Sequence, residues 1–160
     1  MKKIGEYTTR GTLVPDSSGA YSERIDLFDG KFDTGYRVTK FKIFPSDMDQ
    51  ATFYGISGKL ATDESVTDGA TLNAGNNAEI GWTAFNYDAT PTVTVGIVDM
   101  ETSGIVDPDN LIIQDLFVVA KQTQTTPIAD LAINYVIELE KYDITDWQGA
   151  LGMVRNRSQA

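Results

Sequence analysis

Carboxylates are the plentiful ionisable groups of this 160-residue chain, which carries 23 Asp and Glu. They gather in short clusters: Asp47 and Asp49; Asp63, Glu64 and Asp68; Asp107, Asp109 and Asn110; Asp143 and Asp146. Each cluster could offer oxygens to calcium. None follows the twelve-residue loop with glycine at position six and glutamate at position twelve, and a run such as Asp107-Pro108-Asp109-Asn110 also opens a turn, its side chains bonding their own backbone. The turn reading is preferred. Two carboxylates facing each other across a sugar would suit a glycosidase, but so many acids on one surface place some pair at every separation. Histidine and cysteine are both absent. Their absence removes the Ser-His-Asp and Cys-His nucleophiles, thiolate and imidazole metal sites, haem ligation and disulfides. The chain is expected not to be an enzyme, to bind no cofactor or metal, and to have no catalytic residue.

Aromatic side chains are the second resource, since Tyr54, Trp82, Phe85, Tyr87 and Trp147 could serve as stacking platforms for a sugar. Strand parity argues against it: Trp82 shares a face with Ile80 and Ala84, and Tyr54 with Ile56 and Leu60, which predicts core packing for both. Phe85 and Tyr87 fall on the opposite face and are the better candidates for exposure. The nearest approach to a phosphate loop, Gly55-Ile56-Ser57-Gly58-Lys59, lacks the spacing and lies inside a strand pattern.

The elements that must position these residues are mostly strands. Five prolines, at 15, 45, 91, 108 and 127, fall between apolar stretches and not within them, as a ladder that cannot lose donors requires. About eight strands are predicted. In Leu131–Glu140 the odd positions are apolar and the even ones mostly small or polar, a strand wet on one face. Leu111–Ala120 is apolar on both parities except at Gln114 and Asp115, which predicts a central strand covered on both faces. From Tyr36 to Phe44 the apolar parity switches from even to odd, so a bulge is expected near Thr39-Lys40. Further strands are predicted near residues 5–14, 21–28, 50–60, 79–86 and 92–100. Turns are predicted at Pro15–Gly19 and Asp29–Lys31. The polar run from Thr62 to Asn77 has only Val66 and Leu72 as bulky anchors and is expected to be mobile. With 41% hydrophobic and 22% charged residues, the chain reads as a single β-domain over residues 1–160, an antiparallel β-sandwich or jelly-roll-like barrel.

One segment departs from this pattern. Thr145-Asp146-Trp147-Gln148 has the form of a capping box, so a short C-terminal helix is predicted near residues 145–157. Trp147, Leu151 and Val154 would form one apolar stripe on it. Gly149 and Gly152 weaken such a helix by up to about 1 kcal/mol each relative to alanine. The stripe therefore needs a surface to dock on, either the chain's own sheet or another subunit. Arg155 and Arg157 either complement the dipole of that helix or bridge to carboxylates of a neighbour that a chain of net charge −10 would otherwise repel. Trp147, Leu151, Val154, Arg155 and Arg157 are the candidate interface residues. The acidic balance excludes nucleic acid as a partner held by phosphate neutralisation. No apolar run approaches the length of a bilayer-spanning helix, and Ile4-Gly5-Glu6-Tyr7 is not the apolar core of a signal peptide.

Two stretches carry a resemblance. One is Leu27-Phe28-Asp29-Gly30-Lys31-Phe32-Asp33-Thr34-Gly35-Tyr36-Arg37-Val38-Thr39-Lys40-Phe41. The other is Asn134–Thr145 with Trp147-Gln148-Gly149-Ala150 and Met153–Gln159. Both resemble small virion-associated structural proteins of marine tailed DNA viruses. That resemblance implies a decoration or minor capsid protein on the outside of a head, located in the virion after synthesis in the host cytoplasm. Its implied partners are further copies of itself, as a homo-oligomer, and a major capsid protein or neighbouring virion protein. It implies no catalytic residue. A tail or fibre component, or a carbohydrate-binding module for host attachment, is the alternative.

Overall fold

The computed structural model describes residues 1–49, 52–88, 96–99, 105–107, 109–144 and 151. Among them nine strands run in chain order: β1 (Lys2–Leu13), β2 (Ala20–Asp26), β3 (Thr34–Pro45), β4 (Tyr54–Ala61), β5 (Glu79–Asp88), β6 (Gly96–Asp99), β7 (Ile105–Val106), β8 (Asp115–Gln122) and β9 (Ile133–Asp143). They form two antiparallel sheets. A three-stranded sheet has the order β1-β9-β3; a six-stranded one has the order β2-β8-β4-β5-β6, with β7 paired to β5.

Alternation explains which face of each strand is buried. Leu131, Ile133, Tyr135, Ile137 and Leu139 all point to the core, with 0–3% exposure, as the odd-numbered apolar set predicts. From the neighbouring strand come Val38, Phe41 and Ile43. Val38 pairs with Leu139 and Lys40 with Glu138, so Thr39 is the extra residue of a bulge, where the parity switch places it. The facing sheet contributes Ile56, Leu60, Ile80, Phe85, Leu116 and Val118 to one continuous core. The two sheets thus pack as a β-sandwich. Gly58 sits between them because a Cβ there would lie 2.3 Å from Ile43 Cδ1.

β8 lies between β2 and β4, a central strand with Val118, Val119 and Ala120 all buried, though its ladder begins at Asp115 and not at Leu111. Ahead of it, Ile112 exchanges two backbone hydrogen bonds with Tyr36, at 2.8 and 2.7 Å, and so covers part of the outer edge of β3. Between β1 and β2, Asp16 accepts hydrogen bonds from the amides of Ser18 and Ala20, and Gly19 takes the left-handed φ of 78° that turns the chain.

One parity expectation fails. Leu60 pairs with Gly81 but Ala61 with Glu79, so Ile80 is an extra residue in the β4–β5 ladder. Beyond this bulge the phase is reversed: Phe85 and Tyr87 are buried, at 3% and 0% exposure, while Trp82 and Ala84 turn to the outer side and are half-buried. Extending the side of Ile80 onward to Trp82 crosses the bulge and inverts the assignment. Tyr54 is in the core as predicted, stacked on Tyr87 with ring centroids 4.8 Å apart. The predicted C-terminal helix near 145–157 falls outside the described residues except at Leu151, and no helix is seen among the named elements.

Candidate interaction surface

The outward face of the three-stranded sheet follows directly from the register. With the odd residues of β9 in the core, Asn134, Val136, Glu138 and Glu140 face out. β1 sets Thr12, Arg10, Thr8 and Glu6 beside them on one side, and β3 sets Phe44, Lys42, Lys40 and Arg37 on the other. Lys3 Nζ donates to Glu140 Oε1 at 2.6 Å and also to Glu6. Tyr142 donates its hydroxyl to Glu140 Oε2 at 2.6 Å, and the Arg37 guanidinium lies 5.1 Å from the centre of the Tyr142 ring. Lys40 and Glu138 approach to 3.6 Å. Lys3, Arg10, Arg37, Lys40 and Lys42 stand there against Glu6, Glu138 and Glu140, so this face is net positive on a chain of net charge −10.

A shallow concavity of about 410 Å³ opens on this sheet, lined by Glu6, Tyr7, Thr8, Thr39, Glu138, Leu139 and Glu140. Its chemistry is that of fixed ions. The Lys3 and Tyr142 hydrogen bonds hold the Glu140 carboxyl below the usual carboxylate range, and the Glu140 and Glu6 bonds hold Lys3 above the usual ammonium range. A general acid working near neutral pH needs the opposite displacement. Around the end of the sheet Lys141 Nζ bonds Asp29 Oδ2 at 2.8 Å and lies 5.4 Å from the centre of the Tyr36 ring, and Thr34 donates to the same carboxylate oxygen. The Lys141 bond brings the pKa of Asp29 down to about 2.

On the outer side of the other sheet a second polar construction holds the 62–78 segment. Lys59 and Glu79 form an ion pair at 2.7 Å with side chains 4% and 3% exposed. Lys59 Nζ also donates to the Thr71 carbonyl at 2.8 Å, while Glu79 Oε2 accepts from the Asn73 amide at 2.8 Å and from Trp82 Nε1 at 2.9 Å. Burial pushes the Glu79 carboxyl up, but the Lys59, Asn73 and Trp82 bonds outweigh it and leave the pKa lowered. Gly69 lies so close to β8 that a Cβ would sit 2.3 Å from the Ala120 carbonyl carbon. Of the two bulky aliphatic anchors read in the sequence, Val66 is buried with Ala61, Ala78 and Phe117 while Leu72 is exposed, and polar contacts to Lys59 and Glu79 hold the segment around it. The phosphate-loop look-alike Gly55–Lys59 is a fully buried strand whose alternate residues, Ser57 and Lys59, bond this loop.

Three of the four acidic clusters are turn openers, while Asp143 ends β9 and Asp146 lies outside the described residues. Asp47, Asp63, Asp68 and Asp107 each accept from the backbone amide two residues on, at 2.8–3.0 Å. No group of three or more potential ligands is assembled among the described residues. Of the interface residues named from the sequence, Trp147, Val154, Arg155 and Arg157 lie outside the described residues, and Leu151 is 52% exposed. Sequence reading missed the Lys59–Glu79 pair. The signal for it was a lysine inside an otherwise uncharged strand pattern.

No protein-family model matches the chain, and no curated protein matches it in sequence. Among solved structures it is similar to a chain titled Desmodium yellow mottle tymovirus, at 8% identity and a TM-score of 0.34, over 88% of this chain and 81% of that one.

Proposed function

We propose that the chain is a viral structural protein, a decoration or minor capsid protein on the outside of a head, acting by subunit contacts and without catalysis. One observation carries this reading. The two stretches that resemble virion proteins of marine tailed DNA viruses are far apart in sequence, yet Thr34 to Phe41 pairs with Ile137 to Asp143 in one antiparallel ladder. The loop ahead of β3 joins the same unit through the Asp29–Lys141 ion pair and the bond from the Ile144 amide to the Asp33 carbonyl. Among the described residues the resembling positions therefore form one contiguous piece of structure, as expected if that piece is what the resembling proteins share. A net charge of −10 suits the outside of a shell better than an interior filled with nucleic acid.

The test is copy number. Quantitative mass spectrometry of purified particles that contain this chain should find hundreds of copies per particle, together with a major capsid protein. A handful of copies would move the protein to the tail or a fibre. Absence from particles would end the virion reading. In the same particles a Trp147→Ala chain should fold yet incorporate poorly; normal incorporation would remove the C-terminal segment from the contacts.

A further inference from the structure

The strongest unused feature of the fold is the free edge of β1. This strand is 12 residues long, contains no proline and, among the described residues, pairs only with β9. Among the described residues no backbone hydrogen bond reaches its other side. The opposite edge of the same sheet is treated differently, for Ile112 bonds Tyr36 there in both directions and Pro45 ends the strand. Long open edges template pairing with another chain, and proteins usually blunt them. β1 and its flanks also expose apolar side chains: Met1, Ile4, Tyr7 and Val14 are each at least half exposed.

We propose that β1 is a dimerisation strand: two copies of this chain pair their β1 strands antiparallel about a two-fold axis at Thr8, joining two three-stranded sheets into one of six. The register follows from symmetry and charge. Strands that keep both core faces on the same side of a continuous sheet must set residues of equal parity opposite each other, so the sum of the paired numbers is even. A sum of 12 sets Glu6 against Glu6, and a sum of 20 sets Arg10 against Arg10; both bring like charges together. Sums of 14 and 18 leave Glu6 and Arg10 opposite uncharged residues. A sum of 16 sets Glu6 of each copy opposite Arg10 of the other, twice by symmetry, with Thr8 opposite Thr8. On the inner side it sets Gly5 opposite Gly11, where the rings of Tyr7 and Tyr135 already occupy the space a Cβ would need. The bulge at Ile4 then ends the pairing. This inference rests on the sheet edge and does not depend on the virion reading.

Sedimentation of the full chain over the micromolar range should show a monomer–dimer equilibrium that weakens with salt. Arg10→Glu, which turns both attractive pairs into repulsive ones, should raise the dimer Kd by about tenfold or more, while Arg10→Lys leaves it nearly unchanged. Because the chain has no cysteine, Thr8→Cys supplies an independent readout: mild oxidation should give a covalent dimer, and Ser22→Cys on the exposed face of β2 should not. Three results would overturn the proposal: a wild-type chain that stays monomeric, a folded Arg10→Glu dimer of unchanged Kd, or a Thr8→Cys chain that cross-links no faster than Ser22→Cys.

Discussion

Replacing Glu79 by glutamine keeps the shape of the side chain and removes its charge, which leaves the Lys59 ammonium buried with the Thr71 carbonyl and a neutral amide oxygen for company. Stranding one member of a buried ion pair costs about 3–5 kcal/mol, against a total stability of roughly 5–15 kcal/mol for a domain. Lys59→Met strands the carboxylate instead. Glu79 would keep its bonds from the Asn73 amide and the Trp82 indole, so the loss belongs at the lower end, about 3 kcal/mol. The double variant Lys59→Met/Glu79→Gln buries neither charge, and its loss should fall short of the sum of the single losses by about 2 kcal/mol or more. Urea unfolding at neutral pH, followed by circular dichroism and tryptophan fluorescence, measures all three. Losses that add to within about 0.5 kcal/mol would refute the coupling. The sign in acid follows from the lowered Glu79 pKa: the stabilisation is complete above the ordinary value of 4.5 and is lost as pH falls through the folded value. Hydrogen exchange in the 62–78 segment should therefore quicken in acid before the β-sandwich unfolds.

Further expectations follow from single contacts. Gly58→Ala drives a methyl into Ile43 Cδ1 at 2.3 Å and should cost about 1–3 kcal/mol in urea unfolding, because the core between the sheets must shift; an unchanged midpoint would refute the close approach. Gly69→Ala meets backbone at 2.3 Å, which cannot move aside as a side chain can. It should raise amide exchange across 63–76 while leaving β9 protected. Asp29→Asn removes a carboxylate held down to a pKa of about 2. The wild-type melting temperature should fall as pH drops from about 4 to 2, and the variant should lose part of that dependence.

The strands were legible where one face is wet and the other dry. The odd-numbered apolar set of β9 specified its face, and the parity switch in β3 announced its bulge. The second bulge was not legible, because Ile80 and Gly81 are adjacent buried residues whose phase cannot be told without the partner strand. Trp82, Phe85 and Tyr87 went to the wrong faces for that reason alone. Composition also misjudges what attaches the 62–78 segment. Counting Val66 and Leu72 weighs apolar burial, whereas the contacts are a buried ion pair, turn carboxylates and a glycine laid against β8, all of which require long-range pairing to foresee. On the outer face of the three-stranded sheet the charges are plain in the sequence, but their meeting is not, since Lys3 and Glu140 come from opposite ends of the chain.

That meeting has a consequence for how the protein is made. Among the described residues the first strand finds its ladder partner in β9, Lys2 opposite Asp143, so the small sheet cannot close until the chain through Asp143 has left the ribosome. At about 5–20 residues per second the wait is on the order of ten seconds. Throughout it β1 has both edges bare, and on a polysome many such strands emerge side by side. Lys2, Lys3, Glu6 and Arg10 then act as solubilising charges on a strand that has nothing yet to pair with. Substitutions that neutralise them should lower soluble yield during expression more than they lower the stability of the finished fold.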